Sequence, residues 1–185
     1  MSSTSTTSEL LLSHVACQHL AHEPNARVLI GGLGLGFSLK RVLQMVGQDA
    51  LVQVAELVPE VVAWNRELLA PVNGKLLDDP RVEVIVGDVF ALLRRGQPYD
   101  AILLDVDNGP TSFVQSKNRR IYNRRGLGVI MKALKPGGRV AFWSAEPEPA
   151  FREALTRAGF HAEEHPAKAH ERAKRFAHMI FVGER

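Results

Sequence analysis

The stretch Val28-Leu29-Ile30-Gly31-Gly32-Leu33-Gly34-Leu35-Gly36-Phe37 constrains the fold of this 185-residue chain more than any other. Three branched apolar residues predict a buried strand, and the glycines after them a tight turn. The spacing of Leu39, Val42, Leu43 and Val46 then predicts a helix that begins at Ser38 and stops at Gly47. Strand, glycine turn and helix in that order form the half-unit that holds nucleotides. Small residues let the backbone approach a ligand, and the helix start presents N–H groups that have no partner within the helix. A dinucleotide fingerprint counted from Gly32 needs a small residue at position 37, where Phe37 stands. What remains is Gly32-x-Gly34-x-Gly36, a spacing that a purely structural turn also satisfies. Its surroundings must decide.

Those surroundings are a chain of ordinary composition, 45% hydrophobic and 23% charged, sufficient for one domain with its own core. A formal charge of +3 is compatible with an anionic ligand or nucleic acid and demands neither. The single Cys17 rules out an internal disulfide and suits a reducing cytosol, so a cytoplasmic location is expected. No apolar run approaches the ~20 residues of a membrane span, so no membrane partner is expected. Residues 1–8 are rich in Ser and Thr, without the basic start or apolar core of a signal peptide. They read as a flexible tail or the stub of a longer N-terminal region, with 9–185 as a single α/β domain.

Taken in order, Glu9 to His22 predicts a helix packed on the sheet edge or over the ligand, ended by Pro24 and Asn25. A second strand runs from Ala50 to Leu57, and Pro59 opens a helix through Val61, Trp64, Leu68 and Leu69. A third strand spans Arg81 to Val86, a short helix Val89 to Arg95, and a fourth strand Tyr99 to Leu104. Val106 to Asn118 is longer than most strand-to-helix connections, as binding loops often are. A helix from Arg119 to Leu134 and the turn Lys135-Pro136-Gly137-Gly138 lead to a fifth strand, Arg139 to Ser144. After a helix from Pro147 to Ala158, Phe160 to His165 and Phe176 to Val182 pair as an antiparallel hairpin at one edge. Five strand–helix units imply a doubly wound, mostly parallel sheet, seven-stranded with that hairpin.

In such sheets ligands bind beyond the carboxyl ends of the strands, which puts Gly31, Gly32, Gly34, Gly36, Glu56, Asp88 and Asp105 on one rim. Glu56, about twenty residues past the turn, stands where an acid accepts ribose hydroxyls; a solvated strand-end acid is the plainer alternative. Asp88 suits either the amino group of an adenine or the N-cap of the next helix. Asp105 closes an apolar strand and can take a proton from an attacking amine or hold a cation, or simply form a turn. Asp107, Asn108 and Tyr122 are candidate substrate contacts. Lys117, Arg119, Arg120, Arg124 and Arg125 read mainly as a solvated basic face. His161, His165, His170 and His178 lack the spacing of a helical metal pair, so no metal is expected. Phe142 and Trp143 read as core.

The segments Val28 to Gly32, Val54 to Val62, Asp79-Pro80-Arg81-Val82-Glu83 and on to Gly87-Asp88, Tyr99-Asp100-Ala101-Ile102-Leu103-Leu104-Asp105 and Leu134-Lys135-Pro136-Gly137-Gly138 together resemble the spermidine synthase family. That family sits on the Rossmann-like class I S-adenosylmethionine-dependent methyltransferase fold. The resemblance covers Arg27 to Gly159. It implies that Glu56 binds ribose, that Asp88 lies by the adenine, and that Asp105 deprotonates a polyamine. Asp107 corresponds loosely to a second loop acid. The family's glycine turn also carries an aspartate for the amino group of decarboxylated S-adenosylmethionine, and here Leu33 and Leu35 occupy that region. The stretch before Arg27 is too short for the β-rich segment that helps form the family's polyamine site.

These observations favour a transferase using S-adenosylmethionine or its decarboxylated form, leaning to methyl transfer onto a small molecule because the donor-specific aspartate is missing. The alternatives are aminopropyl transfer to a polyamine and a non-catalytic adenosyl-nucleoside binder. RNA methylation ranks below these, so nucleic acid is not the expected partner. The small-molecule substrate is read as an amine where aminopropyl transfer holds, and a homodimer is compatible with all three readings.

Overall fold

The computed structural model of the chain describes residues 7–95, 98–106, 119–168, 173 and 175–185. Seven strands form one sheet: β1 (Arg27–Gly31), β2 (Leu51–Glu56), β3 (Val82–Val86), β4 (Tyr99–Leu104), β5 (Leu134–Ser144), β6 (His161–Lys168) and β7 (Phe176–Glu184). Their order across the sheet is β3-β2-β1-β4-β5-β7-β6. The neighbours among β1 to β5 pair in parallel, and β7 pairs antiparallel with both β5 and β6. The doubly wound sheet with a C-terminal hairpin is therefore the architecture expected.

Within the hairpin the last strand takes the inner place. Ile180, Phe181 and Val182 of β7 are buried, whereas β6 reads His-Ala-Glu-Glu-His-Pro and alternates between exposed and half-buried through Glu164. The apolar strand gains from burial on both faces, and the charged strand with Pro166 blunts the open edge.

The helices are α1 (Thr7–Cys17), α2 (Phe37–Met45), α3 (Pro59–Glu67), α4 (Ala70–Asn73), α5 (Val89–Leu93), α6 (Arg119–Tyr122), α7 (Arg124–Ala133) and α8 (Pro149–Arg157). Alternation along the strands divides the core between two faces. Val28, Ile30, Val52, Val54 and Leu103 meet Leu12 and Val15 of α1 and Leu39 and Val42 of α2. Leu29, Ile102, Leu104 and Phe142 meet Leu93 of α5, Leu127 and Ile130 of α7, and Phe151 and Leu155 of α8. β4, at the centre, is buried at every position.

Several assignments differ from the sequence reading for identifiable reasons. Thr7 and Ser8, assigned to the tail, open α1, and Ser8 is buried there. α1 packs on α2 and across β5 rather than on the sheet edge or over a ligand, because Leu12, Val15 and Ala16 are buried within the core. The helix expected over 119–134 breaks at Asn123, whose side chain accepts a hydrogen bond from the Gly126 N–H at 2.9 Å and starts α7 afresh. The Lys135–Gly138 turn lies inside β5: Leu134 already pairs with Tyr99, and the ladder shifts register before Ala101 pairs with Arg139. Its lysine anchors it, with Nζ 2.7 Å from the Asp100 carboxylate that also accepts the Arg27 N–H at 2.7 Å. No helix among the described residues is long and apolar enough to cross a membrane.

The Asp79-Pro80-Arg81 motif serves helix termination. Arg81 forks onto Asp79 through Nε at 2.9 Å and Nη2 at 2.8 Å, while Nη1 donates to the carbonyls of Leu43, Val46 and Gly47 at 3.0, 3.3 and 3.3 Å. These carbonyls lie at and just beyond the C-terminal end of α2, where no further turn supplies donors. The same hydrogen bonds hold the Asp79 carboxyl below the usual carboxylate range. Replacing Arg81 by Met should lower unfolding free energy by about 2–3 kcal/mol, since a buried charged donor is lost, as read from urea denaturation.

Burial lowers the pKa of His19, with Arg139 nearby reinforcing the effect and Asp100 and Glu184 opposing it. Burial also lowers that of His178, whose ring lies 4.9 Å from Trp143, against a smaller opposing effect of Glu9. A histidine harder to protonate when folded contributes full stability above its unfolded pKa of about 6.5, and that contribution falls as pH drops toward the folded value. The melting temperature should therefore decline from pH 8 to pH 5, and His178→Phe should flatten part of that slope.

Candidate functional site

The reversal of strand order between β1 and β4 opens a crevice at the carboxyl ends of β3, β2, β1 and β4, the usual ligand position in such sheets. A cavity of about 300 Å³ occupies it, lined by Gly32, Gly34, Ala55, Glu56, Leu57, Val58, Val61, Gly87, Asp88, Val89, Asp105 and Val106. Four strand ends thus contribute to one hollow. Three of the lining residues are carboxylates and none is basic, so the described wall suits a cationic ligand.

Gly32 is held in a conformation available to it alone. Its φ is +90°, and a Cβ there would stand 2.2 Å from the Asp105 carbonyl oxygen. The Gly32 N–H donates to the Ala55 carbonyl at 2.8 Å, and the Asp105 N–H donates to the Gly31 carbonyl at 3.0 Å. The turn is thereby wedged between β2 and β4. Gly34 also lines the cavity, with φ +50°. Gly31 and Gly36 lie behind it: a Cβ on Gly31 would meet Leu104 and Val89 at 3.0 Å, and one on Gly36 would meet Asn65 Oδ1 at 2.8 Å. Two of the four predicted glycines therefore face the hollow and two shape it.

Glu56 is 8% exposed. Its Oε2 accepts the Leu33 N–H at 2.9 Å and its Oε1 accepts the Val58 N–H at 2.9 Å. Both oxygens are fixed at the cavity wall, and each keeps a lone pair for a further donor. Asp88 is the N-cap of α5, Oδ1 accepting from the Phe90 N–H at 3.0 Å, so the capping role weighed in the sequence is realised. Its other oxygen forms an ion pair with Arg120, whose guanidinium lies 5.1 Å above the Phe90 ring. Arg120, read from sequence as part of a solvated face, is instead bound to the rim. Asp105, at the end of β4, is half-buried on the cavity wall.

Tyr122 does not line the cavity. It is 8% exposed, its ring 5.6 Å from Phe151 and 5.9 Å from Phe142 in the core between α6, α8 and β5. The short helix α6 turns that side chain inward, which its position after a basic run did not reveal. Asp107 and Asn108 lie outside the described residues, as do Lys117 and His170. Among the described residues no group of three or more His, Cys, Asp or Glu is placed to hold a metal ion.

Two side chains that meet the glycine turn are not indicated by the sequence. Asn65 of α3 donates through Nδ2 to the Gly34 carbonyl at 2.9 Å, and Asn73 of α4 donates to the Leu35 carbonyl. In the sequence Asn73-Gly74 is a turn signal and gives no sign of that contact.

The sequence model of the spermine/spermidine synthase domain matches residues 6–155, most of the chain. The chain belongs to that family. A polyamine aminopropyltransferase from Corynebacterium efficiens is 32% identical over 145 residues, 74% of this chain and 27% of that protein. Polyamine aminopropyltransferase 2 of Pseudomonas aeruginosa is 35% identical over 132 residues, 69% of this chain and 36% of its own length. The chain thus spans about a third or less of these relatives. Among solved structures, spermidine synthase from Thermotoga maritima superposes with a TM-score of 0.71 at 16% identity, covering 95% of this chain and 57% of that one. Human methyltransferase-like protein 13, solved with SAH, gives 0.68 at 19% identity, covering 95% and 78%. These likenesses establish the spermidine synthase and methyltransferase fold.

The glycine turn supplies a direct check on the cavity's construction. Gly32→Ala should destabilise the protein by about 1–3 kcal/mol from backbone strain alone, with further loss from the clash at Asp105. Gly87→Ala lines the same cavity with open space at its Cβ, and should change stability by less than about 0.5 kcal/mol. Urea denaturation of the two variants side by side gives the comparison.

Proposed function

We propose that the crevice binds an S-adenosyl sulfonium nucleoside and that the protein transfers an aminopropyl group from decarboxylated S-adenosylmethionine to an amine. The observation that carries this is the convergence of Glu56, Asp88 and Asp105 on one cavity beside the glycine turn. A sulfonium is a fixed cation, and a lining whose charged side chains are carboxylates favours it electrostatically, with Arg120 behind Asp88 offsetting one of the three. The cavity of about 300 Å³ is at the lower end of ordinary small-molecule sites. The resemblance to polyamine aminopropyltransferases over about 70% of the chain supports aminopropyl over other transfers.

In this reading Glu56 accepts the ribose hydroxyls with the lone pairs left by Leu33 and Val58. Asp88 stands beside the base, its orientation set by the Phe90 N–H and Arg120. Asp105 takes the proton from the acceptor ammonium. The freed amine nitrogen displaces sulfur at the adjoining carbon: a C–N bond forms as the C–S bond breaks, and the electron pair leaves on a neutral thioether. Alignment and proton removal are then the chain's main contributions, with no covalent enzyme step.

Methyl transfer to a small molecule is the second reading. It rests on Leu33, Gly34 and Leu35, which leave the turn without the carboxylate that would hold a bare ammonium tail. Calorimetry and turnover with the intact and the decarboxylated donor separate the two. Aminopropyl transfer predicts tighter binding of the decarboxylated donor and a longer amine product; the opposite preference with a methylated product selects the second. Binding without any product identifies a nucleoside-binding protein and removes both. Asp105→Asn should keep donor affinity within about threefold and lower turnover by about a hundredfold or more, the usual scale of a lost general base. Equal loss of binding would make Asp105 a donor ligand instead.

A further inference from the structure

The glycine turn is held open from behind by two buried amides on separate helices. Asn65 and Asn73 are each 6% exposed. Asn65 Nδ2 donates to both the Gly34 carbonyl and the Val61 carbonyl at 2.9 Å, so one amide ties the turn to the first turn of α3. Its Oδ1 occupies the space that a Cβ on Gly36 would need. Asn73 Nδ2 reaches the next carbonyl along, that of Leu35. On the cavity side, Glu56 takes the Leu33 N–H. Among the described residues, the N–H groups of Gly34 and Leu35 meet no protein acceptor.

A peptide's N–H and C=O point in opposite directions across its plane. Fixing the Gly34 carbonyl backwards therefore fixes the plane that carries the Leu35 N–H, at the edge of the cavity that Gly34 lines. Fixing the Leu35 carbonyl fixes the plane of the Gly36 N–H, which closes the turn onto the Leu33 carbonyl at 2.9 Å. Neither asparagine lines the cavity itself. We infer that Asn65 and Asn73 are positioning residues: by holding these two carbonyls they set the part of the turn that receives the donor's aliphatic tail, as distinct from its adenosine. The base and ribose depend on Asp88 and Glu56 across the crevice, whereas the tail depends on the turn. This rests on the reading of the crevice as an adenosyl-sulfonium site, and holds whichever group is transferred.

The two dependences separate by comparing donors that carry a tail with a nucleoside that lacks one. Calorimetric affinities are measured for S-adenosylmethionine, its decarboxylated form and 5′-methylthioadenosine. The proteins are the full chain and its variants Asn65→Ala, Asn65→Ser and Asn73→Ala. Trp64→Ala, on the exposed face of the same helix, is the control. Binding of 5′-methylthioadenosine to the unaltered chain tests the adenosyl reading by itself. The inference predicts that the asparagine variants weaken the better-bound tailed donor by about tenfold, the equivalent of one buried hydrogen bond. The tailless nucleoside should change by less than about threefold, and the control should leave the ratio between the two as it was. Equal losses for tailed and tailless ligands, an unchanged ratio, or failure of all three variants to fold would assign both asparagines to stability alone and overturn the inference.

Discussion

The close approach of Gly32 to the Asp105 carbonyl is the constraint on which the crevice depends. Parallel pairing of β1 with β4 brings Gly31 level with Leu104, so both chains leave the sheet at the same height. Two backbones emerging side by side have no room for a Cβ between them. Glycine resolves the conflict and also supplies the positive φ that turns the chain back toward α2. The switch point, the turn and the position of Asp105 are consequences of one contact.

Around that contact the site is overdetermined. Ala55 receives the Gly32 N–H, Glu56 the Leu33 N–H, and the asparagines hold the next two carbonyls. A turn that would sample many conformations alone is bound on three sides by side chains from β2, α3 and α4. The ordering is accomplished on folding, so in the proposed reaction a ligand would not have to supply it. The carboxylates are treated similarly. Glu56 and Asp88 each hold a backbone N–H that fixes their orientation, and the Arg120 guanidinium offsets the charge of Asp88 as well.

Several motifs that carry the family resemblance turn out to act at a distance from the crevice. Arg81 terminates α2, and Lys135 neutralises Asp100 at the start of β4. Gly138 sits so close to the carbonyls of Lys135, Tyr99 and Asp100 that a Cβ would stand 2.9 to 3.2 Å from them. These residues secure the frame, and the frame brings the strand ends level. The glycine turn, Glu56 and Asp105 carry the resemblance as well, so the family's motifs include both the frame and the rim.

What was legible in the sequence was local. Apolar runs ending in Gly31, Glu56, Asp88 and Asp105 predict strands that carry polar residues to one rim, because period and turn chemistry act over a few residues. The sheet and the set of rim acids followed from that alone. The tertiary structure decided what each polar atom meets. It gave Asp88 its cap and its arginine, and buried Tyr122 between Phe142 and Phe151. It also brought Asn65 and Asn73 behind a turn that lies more than thirty residues earlier. Such contacts form only when distant segments pack together, and an asparagine on a helix carries no sign, in its own neighbourhood, of which carbonyl it will reach.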